Sequence, residues 1–238
     1  MKLDILAIGV HPDDVELCCG GTLAKEISLG KKAGILHLTE GELGTRGTNE
    51  IRRRESDEAA QILGVHAVEH LSIGDGYFEQ NPETLNQIIK VIRKYQPEIV
   101  LLNAVYDRHP DHARASELCS RACFLSGLPK IETFEENAIQ KAWRPKYVYH
   151  YIQWHNINPD FVVDISDHIT QKIEACKAYS SQFYDKNSDE PETPISSKNF
   201  FDSITYRARD LGRIIGVEYA EGFTVERFIG INSLSDIK

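Results

Sequence analysis

The chain has 238 residues, a net charge of -9 at pH 7 and a pI near 5.5. This length suffices to bury one large α/β core, and no Pro/Ser-rich linker or shift of composition divides it, so we expect a single domain over residues 1–238. The acidic balance argues against a nucleic-acid partner, and no apolar stretch approaches the ~18 residues that a membrane span requires; because no signal-peptide pattern precedes the first strand, we expect a cytoplasmic protein.

The cysteines also favour a reducing compartment. The chain has five of them, an odd number without a C-x-x-C pair, and most fall on apolar helix faces. We expect buried, reduced thiols.

The first predicted strand, residues 3–9, ends at His11-Pro12-Asp13-Asp14. One imidazole and two carboxylates thus stand at the carboxyl end of a strand, where open α/β sheets bind ligands. Taken alone, the motif is also typical of a turn whose aspartates cap the next helix, predicted over residues 15–29. Gly20-Gly21 inside that helix predicts close packing, or a helix that begins only after a glycine turn.

A second strand at residues 33–39 leads through a glycine-rich loop into a helix at residues 49–63, whose first turns carry Arg52, Arg53 and Arg54. Cations there oppose the helix dipole, so they need a compensating partner. An anionic substrate group held by Arg52 or a neighbour is one interpretation. Pairing with acidic residues of the same helix is the other, since charge runs are usually solvated.

The rest of the chain continues the alternation of strands and helices. Strands are predicted at residues 68–73, 98–104, 147–153, 161–165 and 224–229, and helices at 81–96, 111–126, 167–182 and 199–215, with a polar loop at 185–198. This order favours an α/β fold with a Rossmann-like, doubly wound, mostly parallel sheet and helices on both faces.

A second polar cluster, Asp107 to His112, follows the strand at 98–104. Clusters at the ends of two parallel strands meet at one edge of the sheet. His11, Asp14 and His112 then offer two imidazoles and one carboxylate, the donors of a catalytic zinc site, and also suit Fe(II). Asp13 and His109 remain for acid–base work; neighbouring side chains of an extended segment point apart, so Asp13 can face water while Asp14 faces a metal.

These motifs resemble the LmbE-like or PIG-L deacetylases, zinc enzymes that remove N-acetyl groups from glucosamine derivatives and are commonly homo-oligomers. The resemblance covers nearly the whole chain. It rests on His11-Pro12-Asp13-Asp14-Val15-Glu16, Gly21-Thr22, Thr39-Glu40-Gly41, Arg52-Arg53-Arg54-Glu55 and Arg108-His109-Pro110-Asp111-His112.

The resemblance implies a role for each matching residue. His11, Asp14 and His112 resemble the ligands of Zn2+, with Fe2+ as the alternative metal, and Asp13 resembles the general base. His109 resembles the residue that stabilises the oxyanion or protonates the leaving amine, with Asp111 orienting it. Arg52, its neighbour Arg53, and Arg108 correspond to substrate contacts.

The carboxyl half is similar to the bacillithiol-pathway branch of the family, at residues 172–183 and 219–223. That branch acts on N-acetylglucosaminyl malate, whose two carboxylates would give the arginines a partner. The same chemistry on chitin-type oligosaccharides is the close alternative. A nucleotide-binding module without catalysis is the alternative from another class, but it leaves Asp13 and His109 without a purpose.

Overall fold

Strands and helices alternate along the chain in this computed structural model, which describes residues 1–186 and 188–236. The first half has β1 (Ile5–Gly9), α1 (Asp14–Ser28), β2 (Ala33–His37), α2 (Asn49–Leu63), β3 (Ala67–His70), α3 (Pro82–Tyr95), β4 (Ile99–Leu102) and α4 (Pro110–Ser126). The second half has β5 (Phe134–Glu135), β6 (Ala138–Ile139), β7 (Tyr147–Tyr151), β8 (Phe161–Asp164), α5 (Ile169–Ala178), α6 (Lys198–Ile214) and β9 (Ala220–Val225), with short 3-10 turns at Ser166–His168 and Leu234–Asp236.

Seven strands form one sheet in the order β3-β2-β1-β4-β7-β9-β8. The first five of these are mutually parallel, and β9 runs antiparallel to both β7 and β8. The mostly parallel α/β fold expected from the sequence is therefore confirmed.

Apolar packing covers both faces of the sheet. Along β1, Leu6 and Ile8 join the core beneath α3 and α4, whereas Ile5 and Ala7 join the core on the side of α1. A strand that is buried on both faces has no solvent-facing side, so its residues are apolar throughout instead of alternating with polar ones. This explains the continuous apolar run of β1.

The strand order fixes where a site can form. After β1 the chain adds β2 and β3 on one side, and β4 then returns to pair with the other side of β1, with Ile5 opposite Ile99. Ligands of open α/β sheets bind at such a reversal, outside the carboxyl ends of the strands. The segments that follow β1 and β4 are those that carry the two polar clusters.

Two elements in the carboxyl half have an end that differs by four residues from the sequence prediction. The last strand was predicted at residues 224–229 but spans Ala220–Val225, and Phe228 is fully exposed. Glu221 and Gly222 are residue types that strands disfavour, yet Glu221 is buried against Lys172 and can therefore lie within a strand. The helix predicted at 167–182 ends at Ala178, because Tyr179 leaves helical geometry and donates a hydrogen bond to Glu16.

A short hairpin, β5 and β6, was not predicted. Its turn places Glu136 and Asn137 at φ of 47° and 67°, the left-handed pair that two-residue hairpins require. Within the polar loop predicted at 185–198, residue 187 lies outside the described residues.

The prediction of buried thiols outside disulfides is confirmed, because all five cysteines are free and buried. No helix in residues 1–186 and 188–236 is both long enough and apolar enough to cross a membrane.

Gly20 and Gly21 lie side by side in α1 but have different surroundings. A Cβ at Gly21 would lie 2.7 Å from Ile165 Cδ1, whereas the nearest atoms to a Cβ at Gly20 are the Leu63 methyl groups at 3.7 Å. The close packing expected of the pair therefore falls on Gly21. The helix starts before the glycines and has non-helical angles only at Cys19.

We expect Gly21→Ala to lower the free energy of unfolding by about 1–3 kcal/mol, because the added methyl group overpacks the contact with Ile165. Gly20→Ala, the matched control, should change it by less than about 1 kcal/mol, the usual difference in helix propensity. Urea unfolding followed by circular dichroism measures both. Equal losses in the two variants would contradict the assignment of the close contact to Gly21.

Candidate active site

A cavity of about 540 Å³ opens at the carboxyl edge of the sheet, where the segments after β1 and β4 meet. Of the site residues predicted from the sequence, it is lined by His11, Asp13, Asp14, Arg52, Arg108, His109, Asp111 and His112. The structure thus brings the two clusters together. Arg53 is not among the lining residues.

The carboxylate of Asp14 lies between two imidazoles. Its Oδ2 is 3.8 Å from His11 Nδ1, and its Oδ1 is 3.2 Å from His112 Nε2. Asn103 Nδ2 donates to Oδ2 at 3.0 Å, and Gln153 Nε2 donates to Oδ1 at 2.9 Å. Burial alone would raise the pKa of Asp14, but the contacts with His112 and His11 hold it well below its usual range. The carboxylate is therefore ionised.

His112 is held by a carboxylate on each side of its ring. Its Nδ1 lies 2.5 Å from Asp107 Oδ2, and Asp107 is fixed in turn by the backbone N–H of His155 at 3.0 Å. Burial opposes the charged imidazole, but Asp14 and Asp107 outweigh it and raise the pKa of His112 to about 9. A carboxylate on Nδ1 leaves Nε2 directed at Asp14, an arrangement that metal-binding histidines share.

His11 has a similar environment. Its Nε2 lies 2.9 Å from Asp75 Oδ1 and 3.8 Å from Asp111 Oδ2. Burial lowers the pKa of His11, but hydrogen bonds with Asp111 and Asp75 and the charge of Asp14 raise it to about 10 overall. Both imidazoles thus bind protons tightly because carboxylates surround them, which is an environment that favours a cation.

The same groups form a donor set for a metal ion. Ligand atoms of His11, His109 and His112 all lie within 4.8 Å of one another, and so do those of His11, Asp75 and Asp111. Asp14 adds a carboxylate, with Oδ2 3.8 Å from His11 Nδ1 and Oδ1 3.2 Å from His112 Nε2. Imidazole and carboxylate donors in this number suit zinc or Fe(II).

Asp13 has a backbone that few residues other than glycine adopt. Its φ is 109°, and although it precedes α1 its side chain makes no cap hydrogen bond. Burial raises the pKa of Asp13 to about 6, while the adjacent Arg52 opposes this shift. A strained residue of this kind costs about 1–3 kcal/mol and persists where the surroundings fix it, most often at functional sites.

His109 stands at the start of α4 and lines the same cavity. Its Nδ1 accepts a hydrogen bond from the backbone N–H of Asp111 at 3.3 Å, and its ring centroid is 4.8 Å from that of His11. Burial and the charges of His11 and His112 lower the pKa of His109. The Asp111 carboxylate accepts instead from Gly76 N–H and Arg114, so the hydrogen bond from Asp111 to His109 comes from the backbone.

The predicted arginines lie in three different environments. Arg52 is buried and donates to Pro12 O at 2.7 Å, Asp13 Oδ2 at 3.2 Å and Gly41 O at 3.2 Å. A Cβ at position 41, where φ is +67°, would lie 1.7 Å from Arg52 Nη1, so only glycine fits there. Arg52 therefore connects the turn after β1 with the loop after β2 and fixes Asp13.

Arg53 and Arg108 are more exposed than Arg52. The Arg53 side chain is about half exposed, at 52%, and faces Glu40 at 3.6 Å rather than the cavity. Arg108 lies over the ring of Trp154, 4.5 Å from its centroid, and Trp154 stacks on Phe200 at 5.3 Å. Of the two, only Arg108 can reach a molecule in the cavity.

Four polar residues of this site had no assigned role on sequence grounds: Asp75, Asn103, Asp107 and Gln153. Asn103 and Asp107 follow the apolar run of β4, and a polar residue at a strand end is a signal that could have marked them. Gln153 ends the strand predicted at 147–153 and carries the same signal, whereas Asp75 belongs to no motif. Only the folded chain brings them to the two imidazoles and to Asp14.

Comparison with known proteins identifies relatives of this chain. The family model of the PIG-L GlcNAc-PI de-N-acetylases matches residues 6–123. The crystal structure of a conserved protein from Thermus thermophilus is 35% identical and has a TM-score of 0.86, covering 97% of this chain and 98% of that chain.

Two curated relatives have named activities. Diacetylchitobiose deacetylase of Thermococcus kodakarensis is 33% identical over 189 residues, which are 75% of this chain and 70% of that protein. "Probable N-acetyl-alpha-D-glucosaminyl L-malate deacetylase 2" of Bacillus anthracis is 27% identical over 196 residues, 76% of this chain and 82% of that protein. The chain belongs to the PIG-L family of deacetylases, and the resemblance drawn from the motifs is confirmed.

We expect Arg52→Met to lower the free energy of unfolding by about 3–5 kcal/mol at pH 7.5, because it leaves the buried Asp13 carboxylate without its cation. In an Asp13→Asn background the same change should cost about 1–3 kcal/mol, since only the contacts with the carbonyl oxygens are lost. Urea unfolding of the four proteins of this cycle gives the difference.

Arg53→Met is the matched control on the same helix and should change stability by less than about 1 kcal/mol, because exposed ion pairs contribute little. An equal cost of Arg52→Met in both backgrounds would show that Arg52 does not stabilise the charge of Asp13.

Proposed function

We propose that this protein is a metal-dependent hydrolase that removes the N-acetyl group of a glucosamine conjugate. The substrate we propose first is N-acetylglucosaminyl malate, which would give glucosaminyl malate and acetate in bacillithiol biosynthesis. The observation that carries the proposal is the Asp14 carboxylate between His11 and His112, with Asp13 buried beside it in the same cavity.

In this proposal His11, Asp14 and His112 hold zinc or Fe(II). Their environment supports the assignment, because Asp75 and Asp107 bind the outer nitrogens of the imidazoles while Asn103 and Gln153 orient Asp14. The chemistry that such a metal supplies is Lewis acidity, which polarises the acetamide carbonyl and makes water acidic enough to attack near neutral pH.

Asp13 is the proposed general base. Its carboxylate is buried and oriented by Arg52, and burial moves its pKa to about 6, close to the range in which a base works best. It would take the proton of the attacking water as the oxygen adds to the acetamide carbon. The C–N bond then breaks, acetate leaves, and the proton passes to the amine.

His109 is the proposed partner of Asp13 on the opposite side of the reaction. Its Nδ1 is already occupied by the backbone N–H of Asp111. The remaining ring nitrogen would stabilise the carbonyl oxygen as negative charge develops, or deliver a proton to the amine. Asp111 would act by fixing the backbone at the start of α4.

The position of Arg108 favours a substrate with an anionic group. Its guanidinium lines the cavity and has only the face of Trp154 as a partner in residues 1–186 and 188–236. A malate group would offer it a carboxylate. The similarity to the Bacillus anthracis relative supports the same substrate.

Diacetylchitobiose is the second candidate substrate. The similarity to the Thermococcus kodakarensis enzyme favours it, and the stacked rings of Trp154 and Phe200 form an apolar wall against which a second sugar would pack. A non-catalytic nucleotide-binding role has less support, because the carboxylates of Asp13, Asp14 and Asp111 in the cavity would repel phosphate.

Metal removal tests the proposed reaction. We expect protein stripped of metal by a chelator to release no primary amine from N-acetylglucosaminyl malate. Addition of zinc, or of Fe(II) under anaerobic conditions, should restore the release. N,N'-diacetylchitobiose, measured in parallel, identifies the substrate: faster turnover of the chitobiose would favour the second candidate. Full activity in the metal-free protein would refute the proposed mechanism.

Substitution of the adjacent aspartates separates their roles. Asp13→Asn should keep one metal ion per chain and reduce kcat by about 10²–10⁴-fold, because the base is lost. Asp14→Asn should lose the metal. Metal content by mass spectrometry and amine release provide the two readouts, with the exposed Asp57→Asn as control. Retained turnover in Asp13→Asn would remove Asp13 from the role of base.

A further inference from the structure

Arg207 on α6 lies on the wall of the cavity, away from the groups discussed above. It lines both the cavity of the candidate active site and a crevice of about 40 Å³ between α1, α6 and β9. Phe200 borders both spaces too, and a separation of seven residues places it on the same face of α6 as Arg207. Arg207 therefore lines the same cavity as the stacked rings of Phe200 and Trp154, about two helical turns along α6 from Phe200.

Three other cations near this cavity are neutralised within the protein. Arg52 bonds to Asp13, Arg114 bonds to Asp111, and Lys172 lies 2.5 Å from Glu221 in the crevice. Among the described residues, by contrast, Arg207 has no hydrogen bond and no ion pair.

Glu221 is the one carboxylate among the described residues that line the crevice, and it is already occupied. It accepts hydrogen bonds from the backbone N–H groups of Gly21 and Thr22 at 3.0 and 2.6 Å, in addition to the Lys172 contact. The crevice therefore offers no free anion to Arg207.

A second cation without an anionic partner among the described residues stands on the same wall. Arg108 contacts the ring of Trp154, whose other contact is the ring of Phe200. The lining of the cavity thus holds Arg108 on the ring of Trp154, the Trp154–Phe200 pair, and Arg207 further along α6. A ligand that packs on these rings shares the cavity with two guanidinium groups that have no anionic partner among the described residues.

We infer that Arg207 binds a carboxylate of the group attached to the sugar and so selects substrates with an anionic aglycone. This inference rests on the proposed function. A guanidinium binds a carboxylate through two parallel N–H···O bonds, and a partly buried site strengthens them. Acetate, the product of the reaction, offers the same chemistry, so the experiment must separate a substrate carboxylate from a product carboxylate.

The test compares N-acetylglucosaminyl malate with the methyl glycoside of N-acetylglucosamine, which has the same sugar and a neutral aglycone. In the metal-loaded enzyme, Arg207→Gln should raise KM for the malate conjugate about 10- to 100-fold. Its kcat, and KM for the methyl glycoside, should change less than about twofold, because the variant loses only the contact with the aglycone. Arg207→Lys should recover part of the loss.

Arg213→Gln is the matched control. Arg213 lies on the same helix, but it is exposed and pairs with Asp210, so its loss should leave both KM values unchanged. Equal increases of KM for both glycosides in Arg207→Gln would indicate a structural role and overturn the inference. A weaker inhibition by acetate with an unchanged KM for the malate conjugate would assign Arg207 to the product and overturn it as well.

Failure of the proposed function can be told apart from failure of this inference. If the wild-type enzyme hydrolyses neither glycoside, calorimetry measures the binding of each to the same proteins. A preference for the malate conjugate that disappears in Arg207→Gln would support Arg207 without the reaction. A wild-type protein that binds the two glycosides equally would overturn the assignment.

Discussion

The contacts of the Asp14 carboxylate hold together the polar groups at the carboxyl edge of the sheet. It receives hydrogen bonds from the segments that follow β4 and β7 and lies against the imidazoles of His11 and His112. A buried charge is tolerated only where such partners compensate it. The imidazoles need the carboxylates around them for the same reason, so neither cluster would keep its geometry without the other. A cation at their centre, whether a proton or a metal ion, completes the balance of charge.

The strain at Asp13 follows from the same arrangement. The chain must turn sharply between β1 and α1 for Asp14 to reach the imidazoles, and Asp13 takes the left-handed backbone of that turn. Arg52 holds the turn from the other side through Pro12 O and Asp13, and Gly41 leaves room for its guanidinium. Two members of the arginine run that opposes the dipole of α2 thus have acidic partners in the protein itself, and Arg52 has the buried one. Arg53, one position later, points to Glu40 as an ordinary surface charge.

The sequence was most informative where strand ends coincide with polar motifs. His11 to Asp14 and Asp107 to His112 follow apolar runs, and parallel pairing of β1 with β4 is enough to bring them together. Contacts made by single residues from distant segments could not be predicted, because Asp75 belongs to no pattern and the position of Gln153 at a strand end does not show which groups it contacts. The prediction of the bounds of β9 was wrong for a related reason: Glu221 is buried in the strand with Lys172, 49 positions earlier, and the backbone N–H groups of Gly21 and Thr22 as its partners. Arg52 was recognised as important, but its acceptors are visible only in the fold.

The groups proposed for hydrolysis and the groups proposed for specificity come from different parts of the chain. The stretch matched by the family model holds His11, Asp13, Asp14, His109 and His112, so the groups proposed for hydrolysis lie in the part that defines the family. Trp154, Phe200 and Arg207 come later in the chain and form one wall of the cavity. If Arg207 binds the aglycone as proposed, changes in that wall would alter the charge that meets the aglycone without moving Asp14. Similarity over the first half would then not distinguish a malate conjugate from an oligosaccharide, whereas the charge on the wall to which α6 contributes would.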